Sequence, residues 1–131
     1  MVIDKKLLDE LSAQAKVSPR LRQAFDLRNS SEDNSQRMLN SIEPGTEMPI
    51  HRHKDTSETC VCIRGHFEEY FYDEQGNLTD TIDMVPNGVV LNIEKGQWHS
   101  LKCLESGTVL FEAKDGPYEP LQDCDVLSVQ P

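Results

Sequence analysis

The chain has 131 residues, enough for one domain around one hydrophobic core and too few for two. It carries 23 acidic against 13 basic residues, a formal net charge of -10, which argues against an extended surface for nucleic acid or anionic membrane. No apolar run is long enough for a transmembrane helix, and the opening Met-Val-Ile-Asp-Lys-Lys lacks the features of a signal peptide, so the expected location is the cytoplasm.

Residues 4 to 16 read as an amphipathic helix. Asp4 can cap its start, Leu7, Leu8, Leu11 and Ala15 form one apolar stripe, and Pro19 enforces a stop shortly afterwards. The polar stretch from Asn29 to Ser35 is expected to be a loop leading to the first strand, near Gln36 to Ile42. This places the N-terminal helix and linker at 1–35, a β-barrel at 36–120 and an acidic tail at 121–131 lying across the surface or a partner subunit.

Beyond the linker, turn signals recur at Pro44-Gly45, Arg64-Gly65, Gln75-Gly76-Asn77, Pro86-Asn87-Gly88, Lys95-Gly96 and Ser106-Gly107. Short strands broken this evenly suggest a sandwich or barrel. Phe67 to Asp83 reads as a hairpin about Gln75-Gly76-Asn77, with Tyr70, Phe71 and Tyr72 on its first arm and either face able to point inward. Val89 to Ile93 reads as an apolar strand, and Thr108 to Ala113, apolar on both parities, as a covered one.

The chemistry concentrates in Gly45-x5-His51-x-His53-x4-Glu58-x6-Gly65. Alternate strand residues share a face, so His51 and His53 present their imidazoles together. Glu58 has the opposite parity, and the intervening Lys54-Asp55-Thr56-Ser57 is expected to be a loop that resets the register. A second segment, Gly88-x5-Glu94-x-Gly96-x2-His99, adds a third imidazole after a glycine turn. Three histidines and one carboxylate suit one divalent first-row transition ion, whether iron, manganese, nickel, cobalt or zinc, and disfavour calcium and magnesium. His66 follows Gly65 and is expected to be an exposed turn residue.

Cys60 and Cys62 share the parity of Glu58 and are read as small buried side chains that face the interior, where both are candidates to line a pocket. Leu101 and Cys103 share the parity of His99, and both are candidates to line a pocket, as is Trp98, whose plainer reading is packing at the turn. Arg52 lies between two histidines and faces away from them, as a surface or supporting ion pair. Arg20, Arg22, Arg28 and Arg37 precede the metal motif; Arg20 and Arg22 are the candidates to hold an anion such as a phosphate, diphosphate or carboxylate.

The first motif matches every position of the first cupin motif, and the second matches three of the five marked positions of the second, with Glu94 and Cys103 as departures. The chain therefore resembles the cupins. Ser18-Pro19-Arg20-Leu21-Arg22, Gln36-Arg37-Met38-Leu39, Pro49-Ile50-His51-Arg52-His53 and Lys114-Asp115-Gly116-Pro117-Tyr118 further resemble the WbuC-type cupin-fold metalloproteins, over about residues 4 to 120. That resemblance implies a mainly β jelly-roll barrel, a double-stranded β-helix, with an N-terminal helix. It also implies a metal held by His51, His53, Glu58 and His99, and an association with bacterial surface-polysaccharide gene clusters. Three functions stay open: a metal-dependent isomerase- or epimerase-like enzyme acting on a small sugar or sugar derivative, an iron dioxygenase, and a non-catalytic binding or regulatory module. The catalytic base is unassigned. A homodimer is an expectation from the habit of small cupins.

Overall fold

The computed structural model describes residues 1–127. Helix α1 (Lys5–Val17) is followed by strands β1 (Arg22–Asp26), β2 (Ser35–Ile42), β3 (Glu58–Arg64), β4 (Phe67–Tyr72), β5 (Leu78–Met84), β6 (Leu91–Ile93), β7 (Trp98–Cys103) and β8 (Thr108–Asp115). A single 3-10 turn, Asp123–Asp125, lies in the tail. The strands form two antiparallel sheets, β1-β2-β8-β3-β6 and β5-β4-β7.

Asp4 caps α1 as the sequence requires, its carboxylate accepting from the Leu7 N–H at 3.1 Å. Leu8 and Leu11 bury against Leu39 of β2 and Val109 of β8, so the helix covers the outer face of the larger sheet. Arg64 fixes the helix in place: it donates to Asp9 at 2.7 Å, to Ser12 Oγ at 2.8 Å and to the Gly107 carbonyl at 2.9 Å. On the inner face, Ile42, Cys60, Cys62, Phe67, Met84, Cys103 and Leu110 form the core between the sheets. Buried Glu43 closes that end by accepting from Ser106 Oγ and the Gly107 N–H at 2.6 and 2.7 Å.

The hairpin about Gln75-Gly76-Asn77 and the covered strand at Thr108 form as expected. In β8, Val109 and Phe111 pack toward α1, whereas Leu110 and Glu112 face the interior. The aromatic choice on the first hairpin arm is resolved by parity: Phe67 and Glu69 point inward, while Tyr70 and Tyr72 join Ile50 and Trp98 in a cluster apart from that core.

Two expectations are corrected. The first strand is Arg22–Asp26, not Gln36–Ile42; it pairs along its whole length with β2, from Arg22 opposite Ile42 to Asp26 opposite Met38. Its mixed Arg-Gln-Ala-Phe-Asp sequence carries no clean alternation, so the pairing comes from β2 rather than from local propensity. Val89 and Val90 are not in a strand and are 51% and 68% exposed, because β6 pairs with β3 only at Leu91, Asn92 and Ile93. The tail folds back on its own chain, with Leu127 N–H donating to the Ile50 carbonyl at 2.9 Å.

Gly65 and Gly107 both adopt left-handed backbone, at φ +88° and +82°, but only Gly65 is crowded. A methyl group there would lie 2.2 Å from Thr108 Oγ1 and 2.6 Å from its Cα, whereas one at Gly107 would meet nothing within 4 Å. Gly107→Ala should therefore cost about 1–2 kcal/mol, from backbone strain alone. Gly65→Ala should cost at least about 2 kcal/mol more, because the overlap adds to the strain. Urea unfolding midpoints of the two variants compare these costs; equal losses would contradict the close approach at Thr108.

Candidate metal centre

Backbone pairing brings the first two histidines together. His51 and His99 exchange both N–H···O bonds, at 3.0 and 2.8 Å, as directly opposed residues of an antiparallel bridge. Their side chains must then rise from the same face, and their ring centroids lie 4.2 Å apart. His53, two residues on, keeps the parity of His51; its carbonyl is held by the Gly96 N–H at 2.8 Å, and its ring lies 5.2 Å from His51 and 5.7 Å from His99. One ligand nitrogen from each ring fits within a sphere of mutual separations no greater than 4.8 Å.

The tautomers follow from local contacts. His51 Nδ1 faces the Pro49 carbonyl at 2.9 Å and His99 Nδ1 faces the Gln97 carbonyl at 2.8 Å, so in each neutral ring Nδ1 carries the proton and Nε2 a free lone pair. Such carbonyl contacts orient imidazoles for metal binding. Residues 54–57 form no strand, and β3 opens at Glu58, which is buried. Its Oε1 lies 3.0 Å from His99 Nε2, within ion-pair distance, yet Nε2 has no hydrogen bond of acceptable geometry. Two lone-pair atoms this close, both buried, call for a cation or proton between them. The donor set fits a metal ion.

Electrostatics prepares the same state. Burial lowers His51 to about 3, helped by neighbouring His99, and burial with the charge of Lys114 lowers His53 to about 4, so both are neutral at ordinary pH. For Glu58, burial pushes upward, but a proton on the neighbouring His99 imidazole and the charge of Lys114 would outweigh it and hold the carboxyl below its usual range. Lys114 Nζ lies 3.7 Å from Glu58 Oε2, and the two residues face each other across β3 and β8.

These groups line a cavity of about 520 Å³. Of the residues singled out in the sequence, Arg20, Arg22, Cys60 and Leu101 belong to its wall; Cys62, Cys103 and Trp98 do not. Parity selects a face but not a depth. Cys62 and Cys103 lie four residues beyond Glu58 and His99, about 13 Å along a strand, in the closed core. Their thiols donate to the carbonyls of Arg64 and Glu105 at 3.4 and 3.2 Å. Trp98 packs with Ile50 and Tyr72 under the Arg52 guanidinium, which lies 4.6 Å from its ring centroid and pairs with Asp125 at 3.2 Å. Arg52 is thus a supporting ion pair, and His66 pairs with Asp83 at the surface. Burial raises the thiols of Cys60, Cys62 and Cys103, with Cys62 reaching about 11, so in the metal-free protein all three are protonated at ordinary pH.

The cavity also holds two carboxyls that the motifs do not mark, Glu69 and Glu112. Glu69 is 3% exposed, its Oε2 has no partner, and burial followed by the charge of Glu58 raises it well above the usual glutamate value. Glu112 accepts a hydrogen bond from Asn40 Nδ2 and is raised to about 8 by burial and by Glu58. Sequence does contain a signal for Glu112 and Lys114: both share the inward parity of Leu110, so the apolar run turns charged on the cavity side.

The chain belongs to a family. Residues 3–84 match the model described as a domain of unknown function, DUF6016, more than half of the chain. No curated protein sequence matches. Solved structures establish the cupin fold: the Schizosaccharomyces pombe Cnp3 cupin domain aligns at TM-score 0.59 and 17% identity, over 72% of this chain and 64% of that one. The capsular polysaccharide assembling protein CapF from Staphylococcus aureus aligns at TM-score 0.67 and 18% identity, over 79% of this chain but only 30% of CapF. KdgF from Halomonas sp. aligns at TM-score 0.61 and 16% identity, over 78% of this chain and 85% of KdgF. The DUF6016 chain is thus mainly β, two antiparallel sheets with an N-terminal helix.

Glu112 gives this cavity a pH signature. Its carboxyl is raised from 4.5 to about 8 in the fold, so folded protein holds a proton that the unfolded chain has released. In metal-free protein, wild type should lose stability relative to Glu112→Gln as pH rises from 4.5 to about 8, the curves running parallel outside that window. Urea midpoints across pH 4 to 9 test this. A pH-independent difference would mean that Glu112 ionises as it does in solvent.

Proposed function

We propose that this protein binds one divalent first-row transition ion through His51, His53, Glu58 and His99. In this reading it uses the ion to hold and convert a small sugar or sugar derivative in surface-polysaccharide metabolism. The observation that carries the metal reading is the pair of opposed histidines whose Nδ1 atoms meet backbone carbonyls, leaving two Nε2 lone pairs, that of His99 3.0 Å from Glu58 Oε1. The sugar reading draws support from the WbuC-like segments and from a fold shared with a capsular polysaccharide assembling protein. A cavity of about 520 Å³ suits a small molecule and excludes a folded polymer.

A bound ion would polarise a carbonyl or align adjacent oxygens. Proton transfer falls to the chain's own carboxyls. Glu112, protonated near neutrality and oriented by Asn40, can donate a proton to a substrate oxygen, while buried Glu69 offers a second neutral carboxyl on the adjoining wall. Such a pair supplies proton donors beside the ion, and isomerase- or epimerase-like chemistry would need in addition a base that takes a proton from the substrate.

Protein purified from metal-balanced medium should contain close to one metal ion per chain, and His51→Ala/His99→Ala should contain none. Loss of either ligand alone should weaken binding by more than the roughly 10–100-fold caused by losing a supporting partner. Elemental analysis with a competitive chelator reads both values, and Cys60→Ser and Cys103→Ser should leave them unchanged. Wild type without metal would overturn the assignment; stoichiometric iron with substrate-dependent oxygen uptake would replace the sugar reading with a dioxygenase.

A further inference from the structure

The arginines divide into two groups by what they touch. Arg28, Arg37, Arg52 and Arg64 each pair with an aspartate, at 2.7 to 3.4 Å. Arg20 and Arg22 make no ion pair among the described residues, although the chain has 23 acidic side chains to offer. Both line the cavity. Arg22 is half-buried, and its only side-chain hydrogen-bond partner among the described residues is the Met48 sulfur at 3.5 Å, a weak acceptor for a guanidinium.

The backbone between them is fixed in an uncommon shape. Leu21 lies in the left-handed region at φ 55°, which non-glycine residues seldom adopt. Three contacts hold it there: the Leu21 N–H donates to the Ser18 carbonyl at 3.0 Å, the Glu43 N–H donates to the Leu21 carbonyl at 3.0 Å, and Thr46 Oγ1 donates to the Arg20 carbonyl at 2.8 Å. This turn starts β1 and leaves both flanking arginines on the cavity wall. Arg22 is tied to the metal end through Met48, whose carbonyl accepts from Ser100 Oγ at 2.8 Å, one residue beyond His99.

We propose that the cavity takes an anionic small molecule, a sugar bearing a carboxylate or phosphate, and that Arg22, assisted by Arg20, grips the oxyanion while the histidine end holds the remainder. This rests on the small-sugar reading above and specifies its substrate class. A guanidinium supplies paired donors matched to a planar or tetrahedral oxyanion, and partial burial strengthens the contact. Paired instead with an aspartate, either arginine would be unable to accept such a ligand.

The test is calorimetric titration of the purified protein, with its retained metal, using glucuronate, glucose 6-phosphate, inorganic phosphate and neutral glucose. At least one of the two charged sugars should bind tenfold or more tightly than glucose. Arg22→Ala should erase that preference, Arg22→Lys should keep part of it, Arg20→Ala should reduce it, and Arg28→Ala should match wild type. Preference for one charged sugar identifies carboxylate or phosphate as the group held; phosphate alone competing with the sugar places the grip on the oxyanion. Equal binding of charged and neutral sugars, absence of binding by either charged sugar in the millimolar range, or unchanged preference in folded Arg22→Lys and Arg20→Ala would overturn the proposal. Repeating the titration on His51→Ala/His99→Ala separates the two readings. An arginine-dependent preference surviving there upholds the anion grip without the metal, whereas a metal-loaded wild type without preference rejects the grip alone.

Discussion

One reciprocal backbone pair sets the whole site: His51 and His99 bond to each other twice, N–H to carbonyl in each direction. Those two bonds close the register between the segment before β3 and the start of β7. In an antiparallel bridge they leave no freedom in which face the imidazoles occupy. A slip of one residue would send one ring outward and destroy the cluster. Each ring is then held by a carbonyl two residues earlier, so a single strand geometry, repeated on both sides, supplies position and tautomer together.

The remainder of the fold keeps this pair in register. Helix α1 covers the outer face of the larger sheet, Arg64 ties helix to barrel, and Glu43 closes the far end through Ser106 and Gly107. The closed end contains the apolar core and its cysteines, whereas the histidine end is open and polar. A barrel with one dry and one wet end divides its work. Packing at one end supports carboxyls at the other whose burial would otherwise be too costly.

The sequence made the histidine cluster and the neighbouring Glu58 legible because each member is placed by a short local rule: two residues for strand parity, a loop for the reset, a glycine turn before His99. The N-terminal helix was legible for the same reason, since its cap and apolar stripe are local. Strand β1 was not, because Arg22–Asp26 forms by pairing with β2 and carries little strand pattern itself. Cys62 and Cys103 show another limit. Parity correctly turned them inward, but distance along a strand, which decides whether a residue meets the cavity or the core, depends on where the barrel closes. Glu69 and Glu112 belong to neither motif. Their importance comes from burial beside Glu58, a property of three strands at once.

Helix α1 has a consequence for assembly. With the inner faces turned toward each other and the outer face of the larger sheet under the helix, the strand edges gain importance as surfaces where backbone can add to backbone. Edge strand β5 runs from Leu78 to Met84 with five of its seven residues exposed, and four of those five are Thr79, Asp80, Thr81 and Asp83. Acidic and hydroxyl side chains along an open edge discourage indiscriminate strand addition. The barrel can therefore remain discrete in a crowded solution, while any specific neighbour at that edge must bring complementary basic groups.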